Sequence, residues 1–268
     1  MSGVAEKFRL DKFLADKKFS DSREKAKREI LSGWVKVNGE TIRDASCMIE
    51  GSETIVVERP GGLFVSRGGE KLARALSYFE IPVKGFICAD LGSSTGGFTD
   101  CLLKNGAVKV YSIDVGYGQL DYALRIDPRV VVLERTNART IERNIFNEKI
   151  DFITADLSFI SFTKVSETIL RVFESADGVA LIKPQFEADK SEHKKGVVTK
   201  AENHLAILSR TIDALMRQGL GIKGLTHSPI KGPKGNIEFL LYFSTRPGIA
   251  SQQVDVASVV RTAHEELD

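Results

Sequence analysis

Residues 86–116 constrain the fold more than any other stretch of the chain. A short apolar run lies at each end of this stretch, and the two runs end at aspartates, Asp90 and Asp114. Between them come a turn rich in glycine at residues 92–97 and a run whose apolar residues have helical spacing. The order strand, helix, strand predicts a βαβ unit with a glycine-rich first turn.

The glycine-rich turn favours a ligand that carries a nucleoside. Glycine lets the backbone approach a ligand closely, and a helix that starts there offers unpaired N–H groups. Asp114 follows Asp90 by 24 residues, which is close to the spacing of an acid that hydrogen-bonds ribose hydroxyls. The pattern is G-x-x-x-G-G rather than G-x-G-x-x-G, which favours S-adenosylmethionine over a dinucleotide because no pyrophosphate has to be bound.

The rest of the chain continues the alternation of apolar runs and helical patterns. Further strands are expected at residues 130–133, 152–155 and 178–182, with two late strands at about 221–228 and 237–244. This order predicts an α/β fold with an open, Rossmann-like sheet that is mainly parallel and has an antiparallel edge strand. Ligands bind beyond the carboxyl ends of such strands, so the polar residues that end them are candidate site residues. They are Asp90, Asp114, Asn137, Asp156 and Lys183.

Composition excludes several classes of protein. The 268 residues suit one large or two smaller domains, and a hydrophobic fraction of 42% is enough for a core. The three cysteines predict reduced thiols rather than disulfides or a metal site. No apolar run approaches the roughly 18 residues of a membrane helix, and no signal peptide is recognisable. We therefore expect a cytoplasmic protein that binds neither a metal nor a membrane.

The first sixty residues have a different pattern. Two short helices are expected, the second with Ala26, Ile30 and Leu31 on its buried side, followed by a hairpin that turns at residues 38–39. Between residues 7 and 36, ten Lys and Arg residues stand against five acids. Such an excess belongs either to a solvated face or to a surface that binds nucleic acid. A Pro-Gly-Gly sequence then predicts a linker at residues 59–65 between domains at 1–58 and 66–268.

Three segments of the first domain resemble the S4-like RNA-binding domain. They read R-L-D-K-F-L, S-R-E-K-A-K-R-E-I and G-W-V-K-V-N-G. The resemblance implies a small α+β domain whose helices present basic side chains to the phosphates of folded RNA. By this resemblance the RNA-contacting residues are Arg9, Lys12, Arg23, Lys27 and Lys36.

Nearly the whole chain resembles the TlyA (haemolysin A) family. Seven motifs carry the resemblance, in chain order: S-R-G-G-E-K-L, D-L-G-S-S-T-G-G-F-T, D-V-G-Y-G-Q-L, L-E-R-T-N-A-R, D-L-S-F-I-S, K-P-Q-F-E and G-P-K-G-N-I-E. The family implies an S4-like domain in front of an FtsJ-type domain with a class I methyltransferase sheet. It also implies an S-adenosylmethionine-dependent methyltransferase that acts on the ribose 2′-hydroxyl of cytidine in ribosomal RNA. The substrate implied is the small ribosomal subunit and, for some members, also the large one.

The family uses a Lys-Asp-Lys-Glu tetrad, which its motifs align with Lys71, Asp156, Lys183 and Glu238. We expect Lys183 to act on the ribose hydroxyl, either by taking its proton or by stabilising the forming alkoxide. Asp156 is expected to orient Lys183, while Lys71 and Glu238 position the ribose. Ordinary surface ion pairs are the alternative interpretation of these four residues.

The methyl donor is expected to contact the glycine-rich turn and the next two strand ends. The turn would surround its amino-acid part, Asp114 its ribose and Asn137 its adenine, although Asn137 is also suited to capping the next helix. The candidate cofactor-binding residues are Asp90, Gly92, Ser93, Ser94, Thr95, Gly96, Gly97, Phe98, Asp114 and Asn137.

Other functions remain open at this stage. Base methylation is a rival, but the N-P-P-Y type of motif is replaced by D-L-S-F. A non-catalytic factor that binds RNA during ribosome assembly and a membrane-active haemolysin are two further alternatives. The charged stretch 187–204 is suited either to a lid or RNA-facing loop or to a solvated loop. The oligomeric state is not predicted.

Overall fold

The computed structural model describes residues 7–31, 33–57, 63–189, 192–193 and 195–268. The chain forms two compact units, residues 1–62 and 63–268. Of the expected linker, residues 59–62 lie outside the described residues.

The first unit packs two helices against short strands. Its elements are β1 (Phe8–Arg9), α1 (Leu10–Asp16), α2 (Arg23–Leu31), β2 (Val35–Val37), β3 (Glu40–Ile42), β4 (Met48–Ile49) and β5 (Ile55–Val57). β1 pairs with β4, and β2 lies between β3 and β5. Asn38 and Gly39 have φ values of 50° and 86°, the left-handed backbone that the predicted hairpin turn requires.

Apolar residues of both helices form the core of the first unit. Leu10, Leu14, Ala26 and Ile30 are completely buried. The sequence also predicted Leu31 on the buried side, which is wrong: its side chain is 53% exposed. Leu31 is the last residue of α2, one position past Ile30 around the helix, and so it points away from the stripe that reaches the core.

The second unit is a seven-stranded sheet covered by helices on both faces. Its strands are β6 (Ile87–Leu91), β7 (Lys109–Ile113), β8 (Val130–Leu133), β9 (Phe152–Ala155), β10 (Asp177–Ile182), β11 (Gly221–His227) and β12 (Phe239–Ser244). Its helices are α3 (Gly68–Tyr78), α4 (Gly97–Lys104), α5 (Tyr122–Arg125), α6 (Thr163–Val172), α7 (Pro184–Glu187), α8 (Ala201–Arg217) and α9 (Val256–Leu267), with a 3-10 turn at Arg143–Ile145.

The strand order β11-β12-β10-β9-β6-β7-β8 confirms the predicted mainly parallel sheet. The five strands from β10 to β8 run parallel to one another, whereas β12 pairs antiparallel with both β10 and β11. The strand that runs against the others is thus the last one in the chain, and it lies one position in from the edge.

Alternate residues of each strand supply the two faces of the sheet. Cys88 and Val110 pack toward α3 and α4, whereas their neighbours Ala89 and Tyr111 pack toward α6, α8 and α9. The cysteines of the chain are free thiols. Within the described residues, no helix has the length and apolar character needed to cross a membrane.

Candidate active site

A pocket of about 500 Å³ opens at the carboxyl ends of the parallel strands. Gly92 after β6, Asp114 after β7 and Asp156 after β9 line it, together with Asn137, which follows β8 along the chain. Of the five strand-end residues predicted from the sequence, Asp114, Asn137 and Asp156 line the pocket. A fourth, Lys183, contacts Asp156 of the lining. Asp90 is the exception.

Gly92 allows the loop after β6 to cross close to β9. Its φ is +82°, and a Cβ at this position would lie 2.5 Å from the carbonyl oxygen of Asp156. Both the backbone conformation and the lack of space therefore require glycine here. The close approach brings the loop and Asp156 together at one side of the pocket.

Backbone amides hold the Asp114 carboxylate at the edge of the pocket. Its Oδ2 accepts a hydrogen bond from Ser94 N at 2.8 Å, and its Oδ1 accepts one from Gly116 N at 2.7 Å. Each carboxylate oxygen has a second lone pair, so the group can still accept from two hydroxyls. The carboxylate therefore keeps the acceptors that the expected ribose contact needs.

The structure places Asn137 in a turn rather than at the start of an α-helix. It lines the pocket, and its Oδ1 accepts a hydrogen bond from Arg139 N at 3.0 Å. This bond closes a turn at the end of β8, and no regular α-helix follows directly. The side-chain amide is thus held at the pocket by a local turn.

Asp90 lies under the loop rather than in the pocket. It is fully buried, and its two oxygens accept from Thr99 Oγ1 at 2.7 Å and Thr154 Oγ1 at 2.8 Å. Burial raises the pKa of the Asp90 carboxyl to about 6. It ties α4 to β9 beneath the glycine-rich turn, which suits it to supporting the loop.

The remaining candidates from the turn divide into lining and packing residues. Ser94 lines the pocket, whereas Ser93, Gly96, Gly97 and Phe98 are buried beside it and Thr95 is half-buried. A Cβ on Gly97 would meet Ser66 and the backbone of α3, so this glycine lets α3 and α4 pack together. Phe98 is 3% exposed and belongs to the core on that side of the sheet.

The four tetrad residues form two ion pairs. Lys71 Nζ on α3 lies 2.5 Å from Glu238 Oε2, and both side chains are buried. Lys183 Nζ lies 2.7 Å from Asp156 Oδ1, in an ion pair whose angle falls outside hydrogen-bond geometry. Each pair joins residues that are far apart along the chain.

Strand register brings the two pairs to the same edge of the sheet. Ile182 of β10 faces Phe239 of β12, so Lys183, which directly follows β10, and Glu238, which directly precedes β12, lie at adjoining positions. On the other side, the register of β6 with β9 brings Asp156 next to Gly92. A continuous series of neighbours therefore leads from the pocket to Lys71.

Three further residues near Lys183 escaped sequence analysis. Ser158 Oγ accepts a hydrogen bond from Lys183 Nζ at 3.0 Å. Phe159 is 90% exposed with a φ of 65°, and its ring centroid lies 5.4 Å from that of Phe186. Ser158 and Phe159 line the pocket. The motif D-L-S-F contains both residues, but within it the sequence predicted a catalytic role only for Asp156.

Glu187 connects the turns that follow β9 and β10. Its carboxylate accepts hydrogen bonds from Ser161 Oγ at 2.5 Å and from Phe162 N at 2.7 Å. Burial raises the pKa of the Glu187 carboxyl. The turn that carries Ser158 is thereby attached to the segment that begins at Lys183.

In the first unit, the predicted RNA-contacting residues lie on α1, α2 and β2 or directly beside them. Lys12 and Lys27 are exposed, and Lys36 is half-buried in β2. Arg9 and Arg23 are exposed and contact the same buried carboxylate, that of Asp11.

Comparison with known proteins agrees with this geometry. Residues 64–245 match the model of the FtsJ-like methyltransferase family, and residues 8–55 match that of the S4 domain. Hemolysin A of Brachyspira hyodysenteriae is 44% identical over 88% of this chain and 99% of its own length. The 16S/23S rRNA (cytidine-2′-O)-methyltransferase TlyA of Mycobacterium tuberculosis is 38% identical over 98% of this chain and 99% of its own length.

A solved structure also matches along the whole chain. It is that of a protein named as a hemolysin from Streptococcus thermophilus, with a TM-score of 0.76, 35% identity and coverage of 98% of both chains. The pocket with its glycine-rich loop and the two ion-paired lysines, Lys71 and Lys183, are consistent with the match to the FtsJ-like methyltransferase family. The chain therefore belongs to the FtsJ-like methyltransferase family, within the group that includes hemolysin A and TlyA, and carries an S4 domain in front.

Proposed function

We propose that this protein is an S-adenosylmethionine-dependent methyltransferase that modifies the ribose 2′-hydroxyl of cytidine in ribosomal RNA. The observation that carries the proposal is that Asp156 belongs both to the pocket and to the ion pair with Lys183. This residue lines the pocket between Gly92 and Asp114, and it also pairs with Lys183. A donor bound in the pocket and a substrate bound at Lys183 would therefore be neighbours.

The pocket fits the methyl donor. Gly92 leaves room where a Cβ would collide, Asp114 can accept from two ribose hydroxyls, and Asn137 offers an amide for the adenine edge. The loop from Gly92 to Ser94 would hold the amino-acid part. S-adenosylmethionine supplies a methyl group that is already activated as a sulfonium.

The residues of the chain have to orient the attacking hydroxyl and accommodate its proton. Orientation of two reactants can contribute on the order of 7–11 kcal/mol. Lys183, held by Asp156 and Ser158, serves either as a neutral amine that accepts the proton, or as an ammonium that stabilises negative charge on the ribose oxygen while the proton passes to solvent. The buried pair of Lys71 and Glu238 fixes the neighbouring wall against which the ribose is positioned.

The substrate is inferred from the first unit and from the relatives. Arg9, Lys12, Arg23, Lys27 and Lys36 give this unit basic side chains suited to RNA phosphates, and the unit matches the S4 domain. Relatives are named for methylation of cytidine in 16S and 23S rRNA, or in 23S rRNA alone. Residues 1–58 would thus bind RNA, 66–268 would catalyse methyl transfer, and 59–65 would link them, with the protein acting on ribosomes in the cytoplasm.

Methyl transfer to purified ribosomal subunits tests the proposal. The full chain is incubated with S-adenosylmethionine labelled in its methyl group and with small or large subunits that lack the modification. Mass spectrometry of nuclease digests then identifies the product, and 2′-O-methylcytidine is expected. Label found on a base, or no label on either subunit while the cofactor binds normally, would overturn the proposal.

A further inference from the structure

The clearest feature that this function leaves unexplained is a buried acid, Asp11, on α1 of the first unit. Asp11 is 2% exposed, although aspartate is rarely buried without a partner. Removing a negative charge from a surface that binds RNA should strengthen binding. The position of Asp11 therefore needs a physical reason.

Asp11 fixes two arginines at once. Its carboxylate accepts from Arg9 Nε at 3.1 Å and from Arg9 NH2 at 2.9 Å, so the Arg9 guanidinium is held by two bonds. The same Oδ2 accepts from Arg23 Nε at 3.1 Å. The backbone N–H of Lys12 donates to Oδ1 at 2.8 Å. These bonds lower the pKa of the Asp11 carboxyl to about 2, with the Arg9 bond as the largest cause.

Both arginines nevertheless face the solvent. The side chains of Arg9 and Arg23 are 44% and 59% exposed, whereas that of Asp11 is 3% exposed. A guanidinium has five N–H groups, so each arginine keeps donors that Asp11 does not use. Two flexible side chains from separate elements thus present their remaining donors at one spot.

We propose that Asp11 is a positioning residue that organises Arg9 and Arg23 into one binding site for a single RNA backbone phosphate. Two arginines held beforehand lose less side-chain entropy on binding than two free ones. Guanidinium groups bind phosphate through paired, charge-assisted hydrogen bonds, so their geometry matters as much as their charge. The inference rests on the proposed RNA substrate and adds a residue that repels RNA by its charge but promotes binding by its contacts.

The substitution Asp11→Asn tests the proposed positioning role. Loss of the negative charge alone would strengthen RNA binding, whereas loss of the contacts to the two arginines should weaken it. The matched control is Asp16→Asn, which removes the same charge from the exposed end of the same helix. The full-length variants are titrated against a labelled transcript of folded ribosomal RNA. We expect Asp11→Asn to raise the Kd about tenfold and to lower the salt slope of binding by about 1. Asp16→Asn should bind as tightly as the parent or more tightly.

A double-mutant cycle on Arg9→Ala and Arg23→Ala provides a second test that leaves the buried acid in place. If both arginines bind one phosphate, the second substitution costs less than the first, and the double variant binds more tightly than the two single losses predict. Additive losses would overturn the proposal, and so would an Asp11→Asn variant that binds as tightly as Asp16→Asn. Failure of the parent to methylate ribosomal RNA, with this RNA-binding pattern intact, would instead overturn the proposed function.

Discussion

Lys71 Nζ and Glu238 Oε2 lie 2.5 Å apart, although 167 positions separate the two residues in the chain. Lys71 is on the first helix of the second unit, and Glu238 directly precedes its last strand. Their side chains are 9% and 2% exposed, so neither charge is well solvated. The pair therefore joins α3, the first helix of the second unit, to the start of β12, its last strand.

Glu238→Ala should destabilise the protein and abolish methylation. Breaking a buried ion pair from one side costs about 3–5 kcal/mol, because the remaining charge stays buried without its partner. Urea unfolding measures the loss. The double variant Lys71→Met/Glu238→Leu should recover most of the stability while remaining inactive, and a return of methylation in it would mean that the pair only stabilises the fold.

Lys183→Ala should separate chemistry from cofactor binding. The side chain pairs with Asp156 and Ser158 rather than with the glycine-rich loop, so calorimetry should give nearly the parental Kd for S-adenosylmethionine. The rate of methyl transfer should fall by about 10²–10⁴, the usual effect of losing a general acid or base. Lys84→Ala, at an exposed lysine before β6, serves as the control. Turnover retained by Lys183→Ala would refute its assignment.

Gly92→Ala should weaken binding of the cofactor. The new Cβ would meet the Asp156 carbonyl oxygen at 2.5 Å and would also require the rare backbone conformation with φ +82°. Gly118→Ala is a matched control, because Gly118 has φ +70° but no atom within 4 Å of the added Cβ. Both variants should lose about 1–3 kcal/mol from backbone strain. Only Gly92→Ala should lose at least tenfold in cofactor affinity, and equal affinities would contradict the role of close packing.

Asp90 should make stability depend on pH between about 4 and 6. Burial raises its pKa from 3.8 to about 6, so over this interval the folded state holds a proton that the unfolded state has released. The stability that the protonated Asp90 carboxyl contributes is then fully present below pH 4 and is lost as the pH rises through 6. The unfolding free energies of the parent and of Asp90→Asn are measured at several pH values. As the pH rises from 4 to 6, the parent should lose stability relative to the variant. A constant difference would contradict it.

Glu187→Ala should lower the rate of methylation without changing cofactor affinity. The substitution leaves Phe162 N without its acceptor and releases the turn that carries Ser158. Glu187→Gln keeps an acceptor for Phe162 N and should recover most of the rate. Equal rates in the two variants would indicate that Glu187 does not position this turn.

The sequence predicted the site at the level of strand ends. Apolar runs followed by Asp114, Asp156 or Lys183 mark where strands finish, and parallel strands finish at one edge. The insertion of β12 between β10 and β11 was not predicted, because the pairing partner of a strand depends on contacts across the whole sheet. The burial of Asp90 escaped for the same reason, since its partners Thr99 and Thr154 come from two other elements.

Local patterns also could not identify the partners of side chains. The motif that contains Ser158 fixed its place in the chain but not its contact with Lys183, which lies 25 residues further on. In the same way, the basic composition of the first unit left a solvated face and a nucleic-acid-binding surface both open, and it did not show that Arg9 and Arg23 contact the same carboxylate, that of Asp11. Such pairings depend on distances between elements rather than on spacing within one.

The insertion of β12 has a consequence for biosynthesis. The strands that line the donor pocket, β6 to β9, leave the ribosome well before β12, which fills the gap between β10 and β11 and brings Glu238 to Lys71. Every residue that lines the pocket, from Gly92 to Val165, is thus synthesised before Glu238. The buried ion pair between Lys71 and Glu238 can therefore form only after most of the chain has been made.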